Sequence, residues 1–538
     1  MNVRSDDSDE LPQGGASWVY ASAVVTTAAG ALFYLYLARA VSLDQLGAIV
    51  VLQAFAYIVA TAASLGLGRG FQHFLAFFRG RGEGSTYTRP LVGMSYVTVV
   101  LLCLASAGIS LSIAGGLSLW LFHSANYLPT IELLAPYAGL LVATIILTGV
   151  IVGLQRYIAY SVVMILGTAT MYSVPVVLYS EFHSLQSIVL GWIAGAVVLI
   201  SAALVVIERI TRRPSATGRP APGVYGRLYR NLFTYSLPVV VSALVTTCTY
   251  YIDRLILASL VNLPTVGIYN YAILFASASL FAVSPFQTIL ISRISALFGR
   301  GQSGPIASLV RTGGTLVVLI FVPLSLALSA LGPVLLRYLV GAPFVAAALP
   351  MAVLLAISAA FVPFTILTSL ASGIRRTSAV MVSSVCALVA NATLSILLVP
   401  HFGMVGAAIG NSSMFWAPFV ALYLLFRETG LVDFDLRSIA AVWAASVGMA
   451  LTIAVPLLLL GYALPFVPLF AAAGVVVFVV LVRGLGALPW EVTVELQRHL
   501  PTWANVLRPI IRWAGEPGRP RPQPATPPLA APLAPEQR

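Results

Sequence analysis

The sequence predicts an all-α polytopic membrane protein with about fourteen transmembrane helices, and three observations carry that prediction. Hydrophobic residues make up 59% of the 538 and charged residues only 9%, too little polar material to cover a water-soluble globule of this size. Apolar runs of about 20 residues, the length that spans a hydrocarbon layer of roughly 30 Å, recur from Trp18 to Val482. The basic residues alternate between successive connecting segments as an inside-positive topology requires. Helices are the expected spanning form because they satisfy every backbone group internally.

In order, the runs lie at 18–38, 46–66, 91–114, 131–152, 158–180, 186–207, 232–252, 264–290, 312–332, 345–367, 378–399, 404–426, 438–460 and 465–482. The segment 1–17 reads as a cytoplasmic tail. It carries Asp6, Asp7, Asp9 and Glu10 against Arg4, the reverse of a signal peptide's basic start, so 18–38 is expected to be a retained first span. All 29 basic residues are arginine, and the net charge is +12. With the N-terminus cytoplasmic, all but Arg39, Arg254 and Arg337 fall on the inner side, which places both termini inside the cell membrane and argues against nucleic acid as the partner. Cys103, Cys248 and Cys386 fall within spans and lack metal-ligand spacing.

The chain also repeats itself at an offset of 220 residues. Ser42-Leu43-Asp44-Gln45-Leu46-Gly47 lies opposite Asn262-Leu263-Pro264-Thr265-Val266-Gly267, the segment 148–156 opposite 368–376, and Phe182 opposite Phe402. Six spans per copy is an even number, so both copies enter the membrane in one direction and are expected to be related by a pseudo-twofold axis along the membrane normal. The expected organisation is an N-lobe at 18–207, an Arg/Pro-rich cytoplasmic linker at 208–231, a C-lobe at 232–427 and two additional spans within 428–486. An amphipathic cytoplasmic segment follows at 487–514, where Val492, Leu496 and Leu500 share one face and Trp503, Leu507, Ile510 and Ile511 suggest a second; the tail 515–538 is Pro-rich.

No catalytic constellation emerges. His73, His123, His183, His401 and His499 lie in separate segments, with no His-Glu-x-x-His motif, paired cysteines or phosphate-binding loop. The outer links are too short for a membrane glycosyltransferase, so neither an enzyme nor a cofactor is expected. What remains is a set of polar groups in or near apolar spans: Gln53, Arg69, Asp253, Arg254, Tyr269, Asn270, Gln287 and Arg293. Ionisable groups within a membrane cost several kcal/mol unless they face water, a partner or a ligand, so each is a functional candidate. For Asp253 and Arg254 two placements are open: the protein interior, if the seventh helix continues to about Val261, or the outer headgroups. Arg39 ends the first span at a comparable outer position. An arginine from each lobe suits an anionic, phosphate-bearing ligand, since guanidinium stays charged and grips phosphate with two donors. For Arg69, Arg156, Arg293 and Arg376, at inner span ends, substrate contact and inside-positive anchoring are both open.

Leu37-Ala38-Arg39-Ala40-Val41-Ser42-Leu43-Asp44-Gln45-Leu46-Gly47, followed by Leu65-Gly66-Leu67-Gly68, resembles the amino-terminal signature of the Wzx-like polysaccharide and oligosaccharide flippases. These belong to the multidrug/oligosaccharidyl-lipid/polysaccharide exporter superfamily, whose members are MATE-like. Ser236-Leu237-Pro238, Ile252-Asp253-Arg254, Val266-Gly267-Ile268-Tyr269 and the stretch 399–408 are similar to the second lobe of the same family. The resemblance covers about residues 16–427. It implies a monomeric, two-lobed transporter that moves a polyprenyl-(di)phosphate-linked glycan across the cytoplasmic membrane by alternating access. It also implies an arginine-bearing cavity, membrane lipids as surroundings, and glycan polymerases or glycosyltransferases as partners. Coupling to Na⁺ or H⁺ stays open. Two alternatives stand beside this expectation: a cation-coupled multidrug exporter of the same fold, and a flippase for the peptidoglycan lipid precursor.

Overall fold

The computed structural model describes residues 13–212, 224–280, 284–361, 364–489, 492–493 and 508–515. In chain order the helices are α1 (Gln13–Ala40), α2 (Leu43–Ala63), α3 (Leu67–Gly80), α4 (Gly84–Phe122), α5 (Leu128–Gly153), α6 (Tyr157–Phe182), α7 (Leu185–Thr211), α8 (Val224–Leu260) and α9 (Leu263–Leu280). They continue with α10 (Ser284–Gly299), α11 (Ser303–Leu335), α12 (Ala348–Phe361), α13 (Phe364–Gly373), α14 (Thr377–Phe402), α15 (Met404–Phe426), α16 (Leu436–Leu459) and α17 (Val467–Gly484), and a short helix spans Arg508–Ala514. Among the described residues, 14 helical segments are long and apolar enough to cross a membrane, in agreement with the hydropathy of the chain. Three shorter helices, α3, α10 and α13, lie between them.

Of the expected span 264–290 the described helices cover α9 to Leu280 and α10 from Ser284, and of the expected span 345–367 they cover α12 to Phe361 and α13 from Phe364; residues 281–283 and 362–363 lie outside the described residues. Helix α1 begins at Gln13, inside the expected tail 1–17, while α7 and α8 occupy both ends of the expected linker. Residues 213–223, the acidic residues of 1–12, Leu496, Leu500, Trp503, Leu507 and the Pro-rich segment 516–538 lie outside the described residues.

The signature at residues 42–47 has a local physical cause. The Ser42 hydroxyl accepts from the Gln45 N–H, and the Gln45 side chain accepts from the Ser42 N–H, so the two residues cap α2 reciprocally. Asp44 in the first turn complements the positive end of the helix dipole. Gly47 lies where a Cβ would stand 1.9 Å from the Leu263 carbonyl oxygen, so nothing larger fits against the turn between α8 and α9. At the repeat-related position, Asn262 caps α9 by accepting from the Thr265 N–H at 3.0 Å.

The repeat extends to backbone geometry. Gln155 and Arg375, 220 residues apart, have φ of 57° and 62°. They sit in the same joint: Leu154, Gln155 and Arg156 donate to Val150, Val152 and Ile151, just as Ile374, Arg375 and Arg376 donate to Leu370, Ser372 and Ala371. His183 and Gly403, also 220 apart, close α6 and α14 at φ 49° and 51°.

Packing divides the chain into two compact units, Met1–Gly267 and Ile268–Arg538. In the first, α6 packs on α7, α4 on α5, α1 on α6 and α3 on α5, while α8 packs on α2, α3 and α4. The α3–α8 contact is close: Gly66, at φ 69°, faces the Ser236 carbonyl oxygen, where a Cβ would come within 2.6 Å. Two glycine- and proline-bearing motifs that stand far apart in the chain, 65–68 and 236–238, therefore meet. In the second unit, α14 packs on α15, α11 on α12 and α16, α10 on α13, and α16 on α17. Its main core joins Leu290, Ile294, Val317, Phe321, Ile366, Leu370, Phe426 and Val442. Arg311 reaches Asp433 at 3.4 Å and Asp435 at 3.8 Å, tying α11 to the start of α16.

Candidate functional site

The helix that carries Asp253 and Arg254 continues to Leu260, so at 1.5 Å per residue both charges lie roughly 10 Å inside its end. Asp253 is 0% and Arg254 7% exposed, which places them in the packed interior rather than at a snorkelling surface. Burial of either charge costs several kcal/mol without compensating contacts. For Arg254 some of those contacts are visible. Its Nη1 donates to the Tyr250 carbonyl at 2.9 Å, and its guanidinium carbon stands 5.1 Å from the centre of the Tyr251 ring. Its Nε is buried with no hydrogen-bond partner. Consecutive residues of a helix project in different directions, so Asp253 and Arg254 address different neighbours.

Tyr251 leads from the arginine into a layer of tyrosines. Its ring stacks on Tyr57 of α2, with centroids 5.9 Å apart and planes 4° from parallel. The Tyr137 hydroxyl of α5 donates to the Met171 sulfur of α6 at 4.0 Å, beside Tyr172, and Phe33 packs edge-on against Tyr34 of α1 at 5.6 Å. Tyr34 donates to the Gln53 carboxamide oxygen, and Phe33 packs on Tyr172 at 5.1 Å. One turn further along α2 and α8, the Thr61 and Thr247 hydroxyls approach to 3.4 Å. Counting along each helix places these tyrosines roughly 9 Å or more inside the nearer helix end. Tyr34, Gln53 and Tyr137 are buried, whereas Tyr57, Tyr172 and Tyr251 are only partly covered.

The sequence singled out Gln53, Asp253 and Arg254 but not the tyrosines between them. Their signal was present as five mid-span tyrosines, each in a different helix; five separate helices, however, do not reveal in one dimension that they share a layer. The remaining candidates are dispersed. Arg39 is exposed in the last turn of α1, and Arg69 is exposed on α3. Arg156 and Arg376 are the N-cap residues of α6 and α14, and Arg293 is exposed on α10. Near Arg156, Arg79 donates to the Leu154 carbonyl; burial first, and then the Arg156 charge, lower its pKa from the usual arginine value. In the second unit Tyr269 and Asn270 are buried in α9, where the following Tyr271 packs edge-on against Phe344 at 4.6 Å, and Gln287 is half-buried on α10. Among the described residues no group of three or more His, Cys, Asp or Glu side chains is arranged to hold a metal ion.

Comparison with known proteins adds a family. The family model described as lipid II flippase MurJ matches residues 85–482. No curated protein matches the chain at a significant level. Among solved structures, a lipid II flippase MurJ in an inward closed conformation aligns over 92% of this chain and 99% of its own, at 13% identity and a TM-score of 0.66. An inward-facing multidrug resistance MATE family transporter of the MOP superfamily aligns over 76% of this chain and 95% of its own, at 14% identity and a TM-score of 0.62. A MOP superfamily transporter from Pyrococcus furiosus aligns over 77% and 94%, at 12% identity and a TM-score of 0.54. At such identities these structures establish the fold.

Proposed function

We propose, from the premise that the chain belongs to the lipid II flippase MurJ family, that it moves a polyprenyl-diphosphate-linked peptidoglycan precursor, lipid II, across the cytoplasmic membrane by alternating access. The family is one of transporters rather than enzymes and calls for no cofactor. The expectation that placed polysaccharide repeat units first gives way to its own alternative, because the family match names the peptidoglycan precursor.

The observation that carries the chemistry is the buried guanidinium of Arg254, with one donor tied to the Tyr250 carbonyl and Nε unpartnered. A guanidinium remains charged in low dielectric and matches phosphate geometry, so it suits a diphosphate presented within the membrane. Tyr251, under the guanidinium, orients it. In this reading Asp253 offsets the electrostatic cost of a buried cation, and Arg39 serves as a further headgroup contact. The arginines Arg69, Arg156 and Arg293, exposed, and the partly buried Arg376 anchor an inside-positive topology with both termini cytoplasmic.

The test is reconstitution of the full-length protein in vesicles with headgroup-labelled lipid II. Native protein is expected to accelerate headgroup translocation over empty vesicles. Translocation at the empty-vesicle rate, with and without ion gradients, would overturn the reading.

A further inference from the structure

We propose that the tyrosine layer of the first unit, formed by Tyr34, Tyr57, Tyr137, Tyr172 and Tyr251 with Gln53, is a sugar-binding subsite that takes the pyranose ring joined to the diphosphate. The inference rests on the flippase reading and adds the part of the headgroup that these residues recognise.

Three features lead to it. The named side chains are all neutral and end in hydroxyl or carboxamide groups, which donate and accept hydrogen bonds as the hydroxyls of a sugar do. A cation would call for carboxylate or other strongly anionic oxygens, and none belongs to this set. The layer also offers aromatic faces: Tyr57 and Tyr251 lie nearly parallel at 5.9 Å and are only partly covered, which leaves ring surface for the apolar C–H face of a pyranose. Finally, the layer adjoins the phosphate-type group. Arg254 stands over the same Tyr251 ring, so a ligand with its diphosphate at Arg254 has its first sugar beside Tyr251 and Tyr57.

Simple packing explains this layer less well. Hydrocarbon side chains would fill the space between these helices without placing five phenolic hydroxyls within apolar spans, where each buried polar group needs a partner. The Tyr34–Gln53 hydrogen bond holds α1 to α2 and the Tyr137 hydroxyl donates to the Met171 sulfur, leaving the partly covered Tyr57–Tyr251 stack.

The experiment compares two probes on purified full-length protein: lipid II, and undecaprenyl diphosphate, which has the same lipid and phosphates without sugar. Native protein is expected to bind lipid II more tightly. Tyr57→Leu should remove roughly threefold to tenfold of that preference, the size of one aromatic contact, and leave undecaprenyl diphosphate affinity within about twofold. Tyr57→Phe, which keeps the ring, should lose about twofold. If Tyr57→Leu does not fold, Tyr57→Phe and Tyr172→Phe carry the test through the same ligand ratio. Equal weakening of both probes, or no change for either, overturns the sugar subsite while native translocation of lipid II continues. Failure of the native protein to translocate lipid II instead overturns the flippase reading, and the subsite with it.

Discussion

The two compact units share a repeated backbone but bury different chemistry. In the first, the seam between α2 and α8 is lined by Tyr57, Thr61, Thr247 and Tyr251, with Arg254 at its edge. In the second, the core around α11, α13 and α16 is hydrocarbon. Polar groups buried on α14 and α15 bond within and between those two helices: Ser395 donates to Asn391 at 3.0 Å, and Ser413 to the Ala387 carbonyl at 3.1 Å. Matching joints at Gln155 and Arg375 show that the backbone plan was kept. The difference teaches that matching joints do not fix what is buried: tyrosines of the first unit line a seam between α2 and α8, while the second, with α16 and α17 added, packs a hydrocarbon core around α11.

Three perturbations would break or sharpen this contrast. The largest effect is expected at Arg254. Arg254→Ala should reduce lipid II translocation at least tenfold in vesicles, and Arg254→Lys should recover only part of it, because a point charge lacks the planar pair of donors. Elution of both variants as folded, monodisperse protein is the control; normal transport by Arg254→Ala would leave the first unit without its special role.

A smaller effect separates two repeat-related glycines. Gly47→Ala should lower stability by about 1–3 kcal/mol, as overpacking typically does, since its Cβ would stand 1.9 Å from a backbone oxygen. Gly267→Ala, whose nearest contact would be 3.0 Å, should cost less. Thermal unfolding in one detergent checks the order, and equal losses would show that the two positions are equivalent.

The smallest effect belongs to the rim of the second unit. Arg311 and Asp433 are both substantially exposed, so Arg311→Ala should cost less than about 1 kcal/mol, and the difference should shrink as salt is raised. A larger, salt-independent loss in the same unfolding measurement would mean that the contact to the buried Asp435 dominates instead.

How much of this was legible in the chain varies by feature. The fourteen spans and the 220-residue repeat were, because crossing a membrane imposes a local length and apolarity that any window of residues reveals. Ser42 and Gln45 could be read as a cap for the same reason. The candidates Asp253 and Arg254 were also visible, since charge is conspicuous among apolar residues.

What the sequence left open, and the tertiary structure decided, is which faces meet. A soluble helix marks its inner face by amphipathicity, but in a bilayer the lipid is as apolar as the core, so most of these spans carry no such mark. Whether Arg254 snorkels or is buried depends on how far α8 continues and on what packs against it. Tyr34, Tyr57, Tyr137, Tyr172 and Tyr251 come from five helices spread over more than two hundred residues, and only the rotation and crossing of those helices brings them into one layer. Composition and periodicity, being properties along the chain, determine what spans the membrane; contact between distant helices is set by packing in three dimensions, and that determines where a ligand can be held.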